Sequence, residues 1–547
     1  MLGSDRPSTR RGRRWRAATA IALAVGMTLP AAAQAETHPP GPPRNPAPEV
    51  VGVGVHELST MLAERQTTSA ALVEAYLRRI DAYEEAYDDQ PGLHAVITVN
   101  PRATAQARRL DAERRSGRIR GPLHGIPIVI KDNHDTGDLP TSNGSLALRE
   151  LRPPDDATQV RLLREAGAII LAKTNLHEFA MNITTVSSLG GQTRNPYDQQ
   201  RHPGGSSGGT GAAVAAAFAP VGMGSDTCGS IRIPAAHNAL VGLRPTLGLS
   251  SRAGVAPLSS TQDTVGPLGL SVRDVALVLD ATAGHDPDDP VTEAAVGRVP
   301  DTYLSTLDDR ALAGARIGLF TDYFGVTPEE QPTTDLVRAA ARDMAARGAE
   351  TVELGPQPEI LAAAGAANVV RDEFERDLDA YLAAPGTRAP RSLARLEPPR
   401  NLVTLADIAT SGLVTPSVLS TLRNWVDSPE LPHPEYEERL RQREVLHARI
   451  TALMTAHDLD VILYPTITAP ATPVGTSQSY ANCRLAAYSG LPALTVPAGL
   501  TADGLPVGVE LLGRAFDEPT LLGIGHAYEQ ATRHRIPPAS TPELTPA

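Results

Sequence analysis

Two lysines, Lys131 and Lys173, stand against 48 arginines in this chain of 547 residues. A lysine kept in such a background is a candidate for chemistry that arginine cannot do. A buried ammonium can lose its proton near pH 7, whereas guanidinium stays protonated at any workable pH. Lys131 ends the apolar run Gly125-Ile-Pro-Ile-Val-Ile-Lys131, which reads as a buried strand delivering one amine to its C-terminal tip. Taken alone, it suits a paired structural role as well as a general base.

Hydroxyls come from two later segments. His202-Pro-Gly-Gly-Ser206-Ser207-Gly-Gly-Thr-Gly211 leads into an alanine-rich helix from Ala212 to Phe218. A phosphate loop would need a lysine after the last glycine, and none is there. G-x-S-x-G occurs at both Ser206 and Ser207 and would suit a nucleophile elbow, yet the polar, proline-broken run from Arg194 to Pro203 is a poor match for the strand an elbow requires. A linker is the bland alternative, but linkers rarely run straight into an apolar helix. Further on, Asp226-Thr227-Cys228-Gly229-Ser230 is a small-residue turn before a predicted helix. Consecutive backbone N–H groups in such a turn can stabilise an oxyanion, although a serine there is also a common helix cap.

The elements that must position these groups alternate. Helical spacing runs from Val55 to Tyr83, with Thr67-Thr68-Ser69 as caps between two helices, and again from Pro101 to Arg115. The strand ending at Lys131 is followed by a helix around Asp156 to Ala166 and a strand from Ala168 to Lys173. Later come a long helix from Tyr436 to His457, strands at 460–464, Ala493 to Ala498 and Pro506 to Leu512, and a helix from Glu518 to Ala531. The alternation predicts a layered α/β fold.

Together, Lys131, the Gly-Gly-Ser-Ser-Gly-Gly loop and the Asp-Thr-Cys-Gly-Ser-Ile-Arg turn resemble the amidase signature family of serine hydrolases. Ser206 and Ser230 lie 24 residues apart, and Lys131 precedes Ser230 by 99. The likeness continues in Gly121-Pro-Leu-His-Gly-Ile-Pro, Ala172-Lys-Thr-Asn175, Gly191-Gln-Thr-Arg-Asn-Pro196, Val241-Gly-Leu-Arg-Pro-Thr246 and Gln262-Asp-Thr-Val-Gly-Pro267, and from Gly490 to Asp517. It covers roughly 55–290 and 455–535. The resemblance implies a single large mixed β-sheet covered by helices on both faces. It further implies a catalytic unit of Ser230 as nucleophile, Ser206 as proton relay after a cis peptide to Gly205, and Lys131 as base. The N–H groups of Thr227, Cys228, Gly229 and Ser230 are its oxyanion donors, and Asp226 and Arg232 brace the turn. Lys173 and the histidines at 124, 177, 202 and 237 are read as structural. Cys228 stands where the family commonly has glycine or alanine, and a thiol nucleophile is the rival reading there. No metal and no cofactor is expected.

The reaction implied is hydrolysis of a carboxamide C–N bond, on a small-molecule or peptide amide, through an acyl-enzyme on Ser230. Val255 to Pro267 resembles the peptide-amidase and general-amidase branches, and no membrane-seeking helix accompanies the broad apolar channel that fatty amides would call for. The alternatives are a serine esterase, with His526 as its base, and a non-catalytic amide-binding protein on the same scaffold.

Compartment and partners follow from the N-terminus and from charge. Arg10, Arg11, Arg13, Arg14 and Arg16 precede an apolar stretch from Ala17 to Leu29, and Ala33-Gln34-Ala35 is a small-residue cleavage site. Residues 1–35 therefore read as a signal peptide and the mature chain as secreted, periplasmic or cell-surface, the export route being open. Removing the leader's six arginines and one aspartate takes the formal charge from −12 to −17. That surface repels phosphate backbones and anionic lipid, so no nucleic acid and no stable membrane partner is expected. It also counts, with export, against the amidase component of a tRNA-dependent amidotransferase; the oligomeric state is left open. Residues 36–50 read as a Pro-rich spacer, 51–536 as the amidase domain with an elaborated middle at about 285–450, and 537–547 as a flexible tail. The acidic turn Asp286-Pro-Asp288-Asp289-Pro290 reads as a solvated loop in preference to a calcium site. Two cysteines, Cys228 and Cys483, permit one bridge in an oxidising compartment.

Overall fold

In the computed structural model the described residues are 48–544, apart from 389, 391–392, 394–402 and 480. The expected leader, nearly all of the spacer and the last three residues lie outside them. The strands are β1 (Val96–Val99), β2 (Pro127–Lys131), β3 (Ile169–Thr174), β4 (Val186–Ser187), β5 (Gly191–Gln192), β6 (Val221–Asp226), β7 (Val241–Arg244), β8 (Thr264–Gly269), β9 (Arg316–Leu319), β10 (Glu350–Glu353), β11 (Val461–Pro465), β12 (Ala493–Leu500) and β13 (Pro506–Leu512). Eleven of them form one sheet in the order β1-β3-β2-β6-β8-β7-β12-β13-β11-β9-β10, and β4 and β5 make a separate hairpin. Parallel pairs β3/β2/β6 and β11/β9/β10 flank an antiparallel centre, so the sheet is mixed and flanked by helices.

Strands buried on both faces read as continuous apolar runs, and this explains β2 and β3, every residue of which is buried. Helix Gly208–Ala215 packs on them and is itself buried throughout. Parallel pairing sets Val129 opposite Gly222 and Ile130 opposite Met223, which brings the ends of β2 and β6 side by side.

The elaborated middle contributes to the main sheet: β9 and β10 extend it through β11, and their four-residue length hid them within a helix-rich stretch. Two expectations need correction. The acidic turn is an internal clasp, with Asp286 accepting from Thr158 Oγ1 at 2.7 Å and Ser251 Oγ at 2.5 Å, while Asp289 pairs with Arg252 at 2.7 Å. The tail is docked as far as residue 544. Arg79, buried on helix Ser69–Tyr83, donates to the carbonyls of Thr541 at 2.7 Å and Pro542 at 2.8 Å, because a buried guanidinium must find acceptors.

Candidate active site

Lys131 is fully buried at the C-terminal end of β2. Its Nζ lies 2.7 Å from Ser206 Oγ, 2.8 Å from Ser225 Oγ and 3.3 Å from the Ser225 carbonyl. Burial pulls its pKa down to about 7, against the opposing pull of Asp263 and Asp226. A neutral amine has two N–H groups and one lone pair. The two contacts to Ser225 use the N–H groups and leave the lone pair for the Ser206 hydroxyl, which is the geometry of a base beside a proton donor.

Ser206 sits on the loop that feeds helix Gly208–Ala215, after a cis Gly205–Ser206 peptide. Surrounding backbone holds that loop: the Ser206 carbonyl accepts from His177 N at 3.0 Å, the Gly204 carbonyl from Thr185 Oγ1 at 2.7 Å, and Gly209 N donates to Asn175 O at 3.1 Å. The N–H groups of Gly208, Gly209 and Gly211 all have partners within the fold, so they do not cradle a phosphate. No strand runs into Ser206 or Ser207, which removes the elbow geometry as well. The helix begins at Gly208, ahead of the apolar run from Ala212, because glycines carry no periodicity to read. Gly224 lets β6 approach, since a Cβ there would come within 2.8 Å of Ser207 Oγ.

The turn after β6 is built around one carboxylate. Asp226 is fully buried and accepts from Gly229 N at 2.7 Å, Ile231 N at 3.2 Å, Arg232 Nε at 3.0 Å and Arg244 Nη1 at 3.0 Å. Burial alone would raise its pKa, but the two arginines prevail and hold it well below the usual carboxylate range. Asp226 and Arg232 thus brace the turn, with Glu510 closing the network on Arg232. One of the four expected oxyanion donors is corrected: the Gly229 N–H is committed to Asp226. The N–H groups of Thr227, Cys228 and Ser230 make no hydrogen bond among the described residues. Gly229 has φ +90°, and a Cβ there would press within 2.6 Å of Ile233, so the turn needs glycine at that position.

Ser230 belongs to the same assembly, its carbonyl accepting from Ser207 N at 3.2 Å. Among the described residues no hydrogen bond joins the Oγ atoms of Ser206 and Ser230, a link that in unliganded hydrolases often tightens only on substrate binding. Cys228 is bonded to Cys483, which leaves no free thiol to act as nucleophile. His526 Nε2 lies 3.0 Å from Asp309, and neither serine is among its partners. His124, His202 and His177 contact the Leu110 carbonyl, the Thr476 carbonyl and Thr184 Oγ1. Lys173 lies 3.2 Å from Asp132 and donates to the carbonyls of His134 at 2.7 Å and Pro140 at 3.1 Å, in a structural network.

Sequence reasoning missed Ser225. Its hydroxyl receives Lys131 Nζ and Asn133 Nδ2, the latter at 3.0 Å, and its carbonyl receives Ser207 Oγ at 3.2 Å. No linear pattern marked it: no strand was expected at 221–226, and Ser225 reaches Lys131 only because β6 pairs beside β2. A cavity of about 720 Å³ opens against Cys228 and Cys483, with Ile183, Tyr323, Phe324 and Tyr488 among its walls.

Residues 71–522 match the family model described as Amidase. Among solved structures, the native peptide amidase from Stenotrophomonas maltophilia is 39% identical with a TM-score of 0.80, over 89% of this chain and 98% of that one. A bacterial aryl acylamidase of the amidase signature enzymes is 26% identical with a TM-score of 0.74, over 88% and 97%. Among curated proteins, a glutamyl-tRNA(Gln) amidotransferase subunit from a Synechococcus strain is 35% identical over 510 residues, spanning 90% of this chain and 94% of that protein.

Proposed function

Because this chain belongs to the amidase signature family and is an amide-hydrolysing enzyme, we propose that it is an exported hydrolase of carboxamides, peptide amides among them, acting through an acyl-enzyme on Ser230. The observation that carries the reading is Lys131: buried, with a pKa near 7 and its Nζ 2.7 Å from Ser206 Oγ. In this mechanism Ser206 gives its proton to Lys131 and takes that of Ser230, whose Oγ attacks the amide carbon. The carbonyl oxygen gains negative charge and is met by the free N–H groups of Thr227, Cys228 and Ser230. The proton returns through Ser206 to the leaving nitrogen, the C–N bond breaks, and water then cleaves the ester on Ser230.

Export rests on residues 1–35 and is supported by the bond between the two cysteines. A mixed aromatic and polar cavity beside the turn suits a peptide-like acyl group better than a long alkyl chain. A second reading is favoured by the curated relatives, namely one component of an amidotransferase acting on glutamyl-tRNA(Gln). The leader and the mature charge of −17 stand against it.

The test uses purified protein and a peptide carboxamide, without ATP or a second chain. Ammonia should be released, and Ser230→Ala should abolish both release and labelling by a fluorophosphonate. Labelling that persists at Ser206 or Ser207 would overturn the assignment of the nucleophile. Release that needs ATP and an added second protein would decide for the second reading.

A further inference from the structure

We infer that the Cys228–Cys483 disulfide is a positioning element of the catalytic turn, so that turnover depends on its being oxidised. This rests on the reading of Ser230 as nucleophile. Each neighbour of Cys228 in the turn has its own anchor. Thr227 Oγ1 is held by Asp263 at 2.5 Å, Gly229 N by Asp226 at 2.7 Å, and the Ser230 carbonyl by Ser207 N at 3.2 Å. The backbone of Cys228 makes no hydrogen bond among the described residues, and its N–H is one of the free donors. Its fixed attachment is therefore the bond to Cys483, with the two Cα atoms 5.0 Å apart.

The other end of that bond is anchored. The Cys483 carbonyl accepts from Ala487 N at 3.1 Å and Arg232 Nη2 at 3.4 Å. Next to it, Asn482 Nδ2 donates to the carbonyls of Tyr323 and Pro465, each at 2.8 Å. The disulfide thus ties the residue that lacks backbone anchors to the wall of the cavity, of which both cysteines form part. Hydrogen-bond donors stabilise an oxyanion only when held where its charge develops, and residue 228 adjoins the permissive backbone of Gly229.

Reduction by a dithiol breaks the S–S bond. Two electrons and two protons pass to the sulfurs, giving two thiols, and the dithiol closes to its own disulfide. The purified protein is treated with dithiothreitol under native conditions until two thiols titrate per chain. The values of kcat and KM for a neutral peptide carboxamide are then measured per fluorophosphonate-titrated site, well below the melting temperature. Hydrogen exchange is followed in a peptide spanning 226–232. Reduction should lower kcat about tenfold, less than the ~10²–10³ lost when an oxyanion donor is deleted outright, and leave KM unmoved. Amide exchange at 227–230 should quicken. Oxidised glutathione should restore both, and Cys483→Ser should match the reduced protein and ignore the reductant. A merely structural bond would change the melting temperature and not kcat per site. An unchanged kcat overturns the inference, whatever the exchange shows. If the oxidised protein turns over no amide, the Ser230 reading fails on its own account and unchanged exchange at 227–230 overturns this one.

Discussion

Activity should rise with pH as Lys131 loses its proton. Burial brings its pKa to about 7, and the base works only as the free amine. Two units below that value roughly 1% of the amine is neutral, so kcat/KM at pH 5 should lie about 100-fold below its plateau above pH 8. Three buried histidines add no limb in this range, since burial holds His134 and His177 at about 3 and His237 at about 4. Stability moves in the same direction. The folded pKa of Lys131 lies below its unfolded value, so between about pH 7 and 10.5 the unfolded chain binds the extra proton. This site therefore strengthens the fold as pH rises through that window, and circular dichroism at pH 5 must confirm that the slow enzyme is folded. The assay is ammonia release from a neutral peptide carboxamide between pH 5 and 9. Lys131→Ala should lose ~10²–10⁴-fold and abolish the limb, while His526→Ala keeps both rate and limb. A limb that survives Lys131→Ala and vanishes in His526→Ala would refute the lysine base and decide for an esterase-like histidine.

Two further predictions concern the scaffold. Asp226→Asn leaves Arg232 and Arg244 buried without their shared carboxylate, and should cost ~3–5 kcal/mol of unfolding free energy; an unchanged denaturation midpoint would show that Glu510 alone suffices. Deleting residues 540–547 removes the Ser540, Thr541 and Pro542 carbonyls from Tyr87, Arg79 and Tyr83. That should cost ~1–3 kcal/mol and lower the melting temperature while kcat per site at 25 °C stays put; an unmoved melting temperature would mean that the docked tail contributes nothing.

What could be read in advance followed periodicity and exceptional residue types. β2 ends at Lys131 as its apolar run indicated, and Thr68 caps helix Ser69–Tyr83 by accepting from Ala71 N at 3.1 Å. The rarity of lysine, with its place at the end of an apolar run, pointed to Lys131 because only an amine can be buried there and still give up its proton near pH 7. β9 and β10 escaped because four residues carry too little alternation to outweigh the helices around them. The roles of Ser225 and of the Gly229 N–H depend on distances across neighbouring strands and within one turn, which no linear pattern encodes. The clasped Asp286 looked like a surface loop because acidic, proline-rich composition is the same whether its partners are water or the hydroxyls of Thr158 and Ser251.

The sheet order also divides the labour along the chain. Lys131, Ser206, Ser225 and Ser230 all come from 127–230, at the neighbouring ends of β2 and β6 and the loops between them. The cavity beside them is walled by two stretches: Ile183 and Cys228 come from the same early one, and Tyr323, Phe324, Leu361 and Tyr488 from beyond it. The groups proposed to break the bond thus share one stretch, while the wall around the bond is a joint holding, closed by a single covalent stitch. The later wall can therefore be recut, at Leu361 or Tyr488, without touching Lys131, Ser206 or Ser230.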